Sequence, residues 1–170
     1  VEFSFNTGAS SSEGVAMAGI IASDLERLGM KVNFRSLEFN TLVRKLTSTF
    51  DWEAILIGLT GGIEPHGGKN VWNSAGQLHM WHPLQKEPAT EWEKQINDLF
   101  NQGVQELDEN ERKKIYDEFQ MIVSENLPLI YTVVSKRMLA ARNKFMNLKP
   151  AKFGGALHNV DELIIKEEYR

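Results

Sequence analysis

The sequence predicts an α/β layer architecture, and three observations predict it. Strand-like and helix-like segments alternate from Phe3 to Leu59, as parallel strands joined by right-handed crossover helices do. The run Ala54 to Leu59 has no polar position, which is the mark of a strand covered on both faces. The helical segments repeat apolar residues at i, i+3 and i+4 behind capping residues, so each has one face to bury.

In order along the chain, Phe3 to Thr7 reads as a strand, since Phe3 and Phe5 alternate with Ser4 and Asn6 before Gly8. Ser10 and Glu13 have capping-box spacing, after which Ala18, Ile21, Ala22, Leu25 and Leu28 mark one helical face and Gly29 supplies the stop. Val32 and Phe34 alternate with Lys31, Asn33 and Arg35 in a second strand, and Phe39, Leu42, Val43, Leu46 and Phe50 repeat the helical spacing. Ala54 to Leu59 is the third strand. Farther on, Thr90 and Glu93 form a capping box for a helix with Trp92, Ile96, Leu99, Phe100 and Leu107 on its apolar face. Asp108 and Glu111 cap the next helix, which buries Ile115, Phe119, Ile122 and Val123 and ends before Pro128. Leu129 to Val134 is expected to be a strand, Met138 to Ala141 a less regular one, and Val160 to Lys166 a last strand or docking segment. No repeat or low-complexity tract divides the chain, so residues 1–170 are taken as one domain. The order of the strands is not legible.

Composition narrows the function classes. With 170 residues, 42% of them apolar, the chain can hold a core without staples, and its lack of cysteine excludes disulfides, thiolate metal sites and a cysteine nucleophile. The balance of 19 basic and 23 acidic side chains gives a net charge of −4, and no basic run is longer than Arg112 to Lys114. Nucleic acid is therefore not an expected partner. The longest apolar run, Gly14 to Ala22, falls far short of the ~20 residues a spanning helix needs. Val1 opens on no basic-then-apolar leader, so the leader is expected to have been removed, or the chain to be cut from something longer.

The segment Thr60 to Ala89 has neither helical nor strand periodicity, yet holds two of the four Trp, three of the four His, five of the 13 Gly and three of the five Pro. That concentration of bulky groups argues for a folded loop that packs on itself or on a ligand, since disordered linkers are poor in aromatics. It leaves the end of the third strand, where open α/β sheets place their ligand crevice. The alternative is a long structural excursion with Trp72 and Trp81 packed beneath it. Gly61 and Gly62 would let backbone N–H groups approach a ligand, or simply form a turn. No GxGxxG and no GxxxxGK followed by Ser or Thr occurs, which removes the usual warrant for nucleotide binding. His66, His79 and His82 make a three-imidazole metal site conceivable, but no HExxH pattern or suitably spaced carboxylate accompanies them. Ser10, Ser11 and Ser12 precede a helix, where capping is a sufficient explanation, and no GxSxG occurs. No catalytic residue, metal or cofactor is therefore expected.

Three stretches carry a family resemblance. DLERLGMKVNFRSLEFNTLVRKL is similar to a leucine-x-x-glycine stretch with its following strand and helix. FDWEAILIGLTGGIEPHGGKNVWNS resembles an aspartate-aromatic strand that runs into a glycine, a proline and an Asn/Ser-bearing loop. LDENERKKIYDEFQMIVSENLPLIYTVV resembles an Asp, Arg, Tyr, Gln helix ending at a proline and a strand. In this order they resemble the C-terminal lobe of the extracytoplasmic solute-binding proteins of the peptide/nickel class, solute-binding family 5, which feed ABC importers.

The resemblance implies a three-layer α/β/α, periplasmic-binding-protein-like (type II) lobe with a mixed sheet flanked by helices. It also implies an N-terminal lobe of the same parent protein and an ABC importer permease as partners. A peptide or other small solute would be held between the lobes, in the periplasm or outside the cell. The matching ligand-binding positions are Leu59, Thr60, Gly61 and Gly62 at the strand exit, then Asn70, Trp72, Asn73, Ser74 and Gln77. Glu64, His66 and Trp81 join them as groups suited to an amino terminus or an aromatic or sugar-like ligand. Oligopeptide binders carry an aspartate four residues before the loop proline, paired with the ligand's amino terminus; counted from Pro65, this chain has Gly61 there. Two other readings compete with the binding lobe: a free-standing interaction module, and a metal-dependent or acid/base enzyme built on His66, His79 and His82.

Overall fold

The computed structural model describes residues 1–134, 136, 138–152 and 154–169. Strand β1 (Glu2–Gly8), helix α1 (Ser12–Arg27), strand β2 (Lys31–Leu37), helix α2 (Phe39–Arg44) and strand β3 (Ala54–Leu56) alternate as the sequence pattern requires. The strands form a parallel sheet in the order β2-β1-β3. Register is fixed from Glu2 opposite Lys31 to Gly8 opposite Leu37, and the Lys31 ammonium pairs with Glu2 at 2.8 Å across it. At the leading end of β3 the Glu53 carboxylate accepts the Ser4 N–H at 2.7 Å, and near its exit the Thr7 hydroxyl donates to the Leu56 carbonyl at 3.0 Å.

Central position, not apolar content, decides which strand is covered. β1 has partners on both edges, and its Phe5, Asn6 and Thr7 are all buried. The all-apolar third strand, expected to be enclosed, is instead only half-buried, and Leu59 beyond it is 51% exposed. β3 pairs with β1 alone among the described residues, and it stops at Leu56 rather than Leu59. The expected mixed sheet is thus a wholly parallel one, with a separate antiparallel pair described below.

Helix α1 covers the sheet with Ala18 and Ala22, whose small side chains sit against Phe5 and Val32 while Ile21 and Leu25 pack at the margin. Leu28, expected on this face, is 75% exposed, because it stands beyond the last helical turn. Gly29 then reverses the chain at φ 83, a conformation a β-carbon disfavours. The N-cap is Ser11 rather than Ser10: its hydroxyl accepts the Gly14 N–H at 3.0 Å. Ser11→Ala is expected to cost about 1 kcal/mol and lower the melting temperature by about 2–4 °C in a chain this size. Ser10→Ala should leave it unchanged; melts followed by far-UV circular dichroism distinguish the two. Helix α2 is capped by Glu38, which accepts the Thr41 N–H at 3.0 Å, and continues into a π-turn over Lys45–Thr49 that ends with Phe50 at φ 53.

A second core lies between helices α4 (Glu91–Gly103) and α5 (Glu109–Asn126), where Ile96, Phe100, Tyr116 and Val123 are buried among Trp72, Trp92, Phe119 and Ile122. Both caps follow the sequence: Thr90 and Glu93 complete a capping box, and Asp108 accepts the N–H groups of Asn110 and Glu111. Leu107, expected on the apolar face, is 94% exposed, since α4 already ends at Gly103.

The chain forms two compact units, Val1–Gly61 with Pro65–Pro128, and Gly62–Glu64 with Leu129–Arg170. The expected strands at Leu129 to Val134 and Met138 to Ala141 do not form among the described residues; Ile130, Val133, Val134 and Met138 are largely exposed, so nothing offers those segments a packed face or a ladder. Ser135 and Arg137 lie outside the described residues. The second unit holds a short antiparallel pair, β4 (Phe145–Met146) with β5 (Ile164–Ile165). Asn159 braces it, its amide donating to the Asn147 carbonyl at 2.8 Å and to Glu162 at 3.1 Å. Of the Val160 to Lys166 candidate, only Ile164 and Ile165 are strand, after a 3-10 turn over Val160–Glu162.

Candidate functional site

The loop after β3 is built rather than loose. It contains a 3-10 turn (Pro65–Gly68) and a single-turn helix α3 (Lys69–Trp72), neither signalled by periodicity. Asn70 ties it together, its side-chain oxygen accepting the Gln77 N–H at 2.9 Å and its carbonyl accepting the Leu78 N–H at 3.1 Å. The Asn73 side chain accepts the Ala75 N–H at 3.1 Å. Buried Ser74 is clasped by Asn97 of α4, whose Oδ1 accepts the Ser74 N–H at 2.9 Å and whose amide donates to the Ser74 hydroxyl at 3.1 Å. Gly76 is obligatory in this turn, because a β-carbon there would stand 2.1 Å from the Asn70 carbonyl oxygen.

The centre of the loop is a buried carboxylate. Glu93, only 2% exposed, receives the Ala89 N–H (2.9 Å), the Thr90 N–H (3.0 Å), the Thr90 hydroxyl (3.1 Å) and the Gln85 amide (3.1 Å) on Oε2. Its Oε1 takes the Trp81 indole N–H at 3.2 Å and faces His79 Nε2 at 3.3 Å. Burial by itself pushes this carboxyl up, but the hydrogen bonds from Gln85, Thr90, the Ala89 N–H and His79 together outweigh it and lower it to about 2. The other His79 nitrogen, Nδ1, lies 3.1 Å from the Val71 carbonyl. Around this hub Trp81 packs on His79 (4.0 Å between ring centroids), Trp72 (5.5 Å) and Trp92 (6.2 Å), and Trp72 meets Phe119 edge-on at 5.0 Å.

The residues picked from sequence therefore separate into groups. Leu59, Thr60 and Gly61 leave β3 exposed, at the exit end of the parallel sheet. Gly62 and Glu64 are exposed and belong to the second unit. Asn70, Asn73 and Ser74 spend polar groups on the loop's own turns, and Trp72 and Trp81 pack beneath it. His66 is half-buried, 6.0 Å from the Phe100 ring and 3.5 Å from the Tyr116 hydroxyl. Gln77 is exposed and lines a cavity with Phe50 and Lys86. Among the described residues no three His, Asp or Glu side chains gather at metal-holding distance. Sequence reasoning missed Glu93 as the hub; its capping-box spacing was visible, but the donors from Gln85, Trp81 and His79 come from across the loop.

Comparison with known proteins follows the same lines. No family model matches the chain. Over 142 residues, 76% of this chain, it is 30% identical to a Deinococcus radiodurans protein described as "Probable ABC transporter-binding protein", and it spans 24% of that protein. The periplasmic binding protein AgaA of A. tumefaciens R10, solved with agropinic acid, is similar at 28% identity and a TM-score of 0.59, over 76% of this chain and 26% of that one. The oligopeptide-binding protein AppA of Bacillus subtilis, solved with a nonapeptide, shares the fold at a TM-score of 0.60 and 18% identity, over 75% of this chain and 25% of that one. The resemblance to solute-binding proteins of the peptide/nickel ABC class and the α/β, periplasmic-binding-protein fold both hold. The chain corresponds to about a quarter of the length of these relatives.

Proposed function

We propose, from the premise that this chain is similar to a portion of ABC-transporter substrate-binding proteins, that it serves as the C-terminal solute-binding lobe of such a protein. The parent captures a peptide or other small solute between this lobe and an N-terminal one and delivers it to a membrane permease, outside the cytoplasm. It does no chemistry on the solute. No helix among the described residues is long and apolar enough to cross a membrane.

The observation that carries the reading is the exposure of residues Leu59, Thr60 and Gly61 where the chain leaves β3 and the parallel sheet. Ligands of open α/β sheets bind beyond the carboxyl ends of the strands, and an extended peptide can add its main chain to such an edge. The hydrogen-bonded turns of Asn70, Asn73 and Ser74 hold the following loop in shape, so that face is preorganised.

Titrating the protein with a library of short peptides is expected to shift the amide resonances of Leu59, Thr60 and Gly61. Gly61→Asp, which supplies the carboxylate that oligopeptide binders have at this place, should raise the preference for free-amino over N-acetylated peptides by about tenfold. Silence of these amides across peptides and other small solutes, in the chain and in its parent protein, would overturn the assignment.

A further inference from the structure

Burial leaves His79 only 1% exposed, and both of its ring nitrogens face oxygen. Nδ1 lies 3.1 Å from the Val71 carbonyl of α3, and Nε2 lies 3.3 Å from Glu93 Oε1 of α4. The Trp81 ring packs on the imidazole at 4.0 Å between centroids, and Glu93 is the one ion-pair partner of His79 among the described residues. His82, three residues on, is exposed and gives its backbone N–H to the His79 carbonyl at 3.4 Å.

Both oxygens only accept. A carbonyl has no proton to give, and Glu93, held far below its ordinary value, is a carboxylate throughout the range in which histidine titrates. A neutral imidazole carries one N–H, so either tautomer meets one acceptor with a donor and turns a lone pair on the other. Only the doubly protonated ring bonds to both. Burial disfavours a lone charge, and the carboxylate beside the ring supplies the opposite one. At 1% exposure bulk solvent does not replace a bond the ring gives up. Val71 and His79 bracket the turn that carries Asn73, Ser74 and Gly76, so the two bonds tie that turn to the start of α4.

We propose that His79 is a proton-operated clamp: with both ring protons it ties α3 to α4 through Val71 and Glu93, and on losing one it releases one of the two and loosens the turn between Val71 and His79. The loop is then tight at low pH and looser as the pH rises. The clamp does not depend on the solute-binding assignment, since it acts on the loop whatever that face holds.

The test follows the His79 ring nitrogens by NMR in the full chain from about pH 5 to about pH 8, the range in which histidines change charge. Beside it runs hydrogen exchange of the Gln77 and Leu78 amides, which bond to Asn70 within the turn. With exchange corrected for its intrinsic pH dependence, protection of both amides is expected to fall about tenfold as the pH rises, in step with loss of the second ring proton. Glu93 is ionised over this whole range, so the fall is separate from its acid limit. His82→Gln, an exposed substitution, should keep the step, and His79→Gln, which does not titrate, should abolish it. If His79→Gln does not fold, the unmodified chain decides, because the fall in protection must coincide with the titration of the His79 ring. A single protonation state of His79 across the range, a fall in protection displaced from its titration, or a step that survives in His79→Gln would overturn the proposal.

Discussion

Glu93→Ala is expected to cost about 3–5 kcal/mol, the range for stripping one partner from a buried, charge-assisted network. The side chain is 2% exposed, and its loss leaves the Trp81 indole, the Gln85 amide, the Thr90 hydroxyl and two backbone N–H groups without an acceptor. Each buried unpaired donor costs about 1–3 kcal/mol unless the loop opens to water. The loop from His79 to Thr90 should therefore detach, and the near-ultraviolet dichroism of the packed Trp81 and Trp92 should fade with it. Glu93→Gln keeps one acceptor oxygen and should cost less. Urea titration checks both, and a Glu93→Ala midpoint equal to that of the unmodified protein would show the hub to be ornamental.

The same carboxylate sets an acid limit. Its folded value of about 2 lies below the ordinary 4.5, so Glu93 contributes stability that is fully present above pH 4.5 and is lost as the pH falls toward 2. That gap corresponds to ~3 kcal/mol at ~1.4 kcal/mol per unit. Stability measured against pH should fall through this window, and Glu93→Gln should flatten the fall.

Phe100→Ala is expected to cost about 3–5 kcal/mol, as large-to-small changes at packed aromatic sites do. Phe100 is fully buried and meets Tyr116 (5.6 Å, 87°) and Phe119 (5.0 Å, 86°) edge-on, so truncation opens a cavity between α4 and α5 and removes two oriented ring contacts. Leu107→Ala is the control. Helical spacing puts Leu107 on the same face, but at 94% exposure its loss should stay within about 0.5 kcal/mol. Calorimetry of the two variants separates a periodicity-based core from the packed one.

Much of the fold was legible because its signals are local. The alternation of Phe3 and Phe5, the face of Ala18 and Ala22, the capping box of Thr90 with Glu93 and the cap at Asp108 each depend on residues within one or two turns. Capping position was legible only to within a residue, since Ser10 and Ser11 offer the same hydroxyl and only backbone geometry chooses Ser11. The stretch Leu129 to Val134 has strand-like composition, but a strand needs a partner to receive its hydrogen bonds, and composition does not supply one.

The candidate site was legible as a loop and not as an arrangement. Its unusual content of Trp, His, Gly and Pro marked Thr60 to Ala89 as folded, and Gly61 is readable against the proline that follows it. Which of its side chains face outward was not readable: Trp72 and Trp81 are the same residue type whether they stack on a ligand or on Phe119 and Trp92.

By itself, the sequence determined the α/β class, the positions of the two long capped helices, the absence of thiol chemistry and the likeness to ABC-transporter solute-binding proteins, because each rests on composition, period or short-range spacing. Only the tertiary structure decided that β1 rather than the all-apolar β3 is the central strand and that Glu93 gathers donors from across the loop. Those are contacts between residues distant along the chain or turned by its folding, and burial, hydrogen-bond satisfaction and cavities arise only when such residues meet.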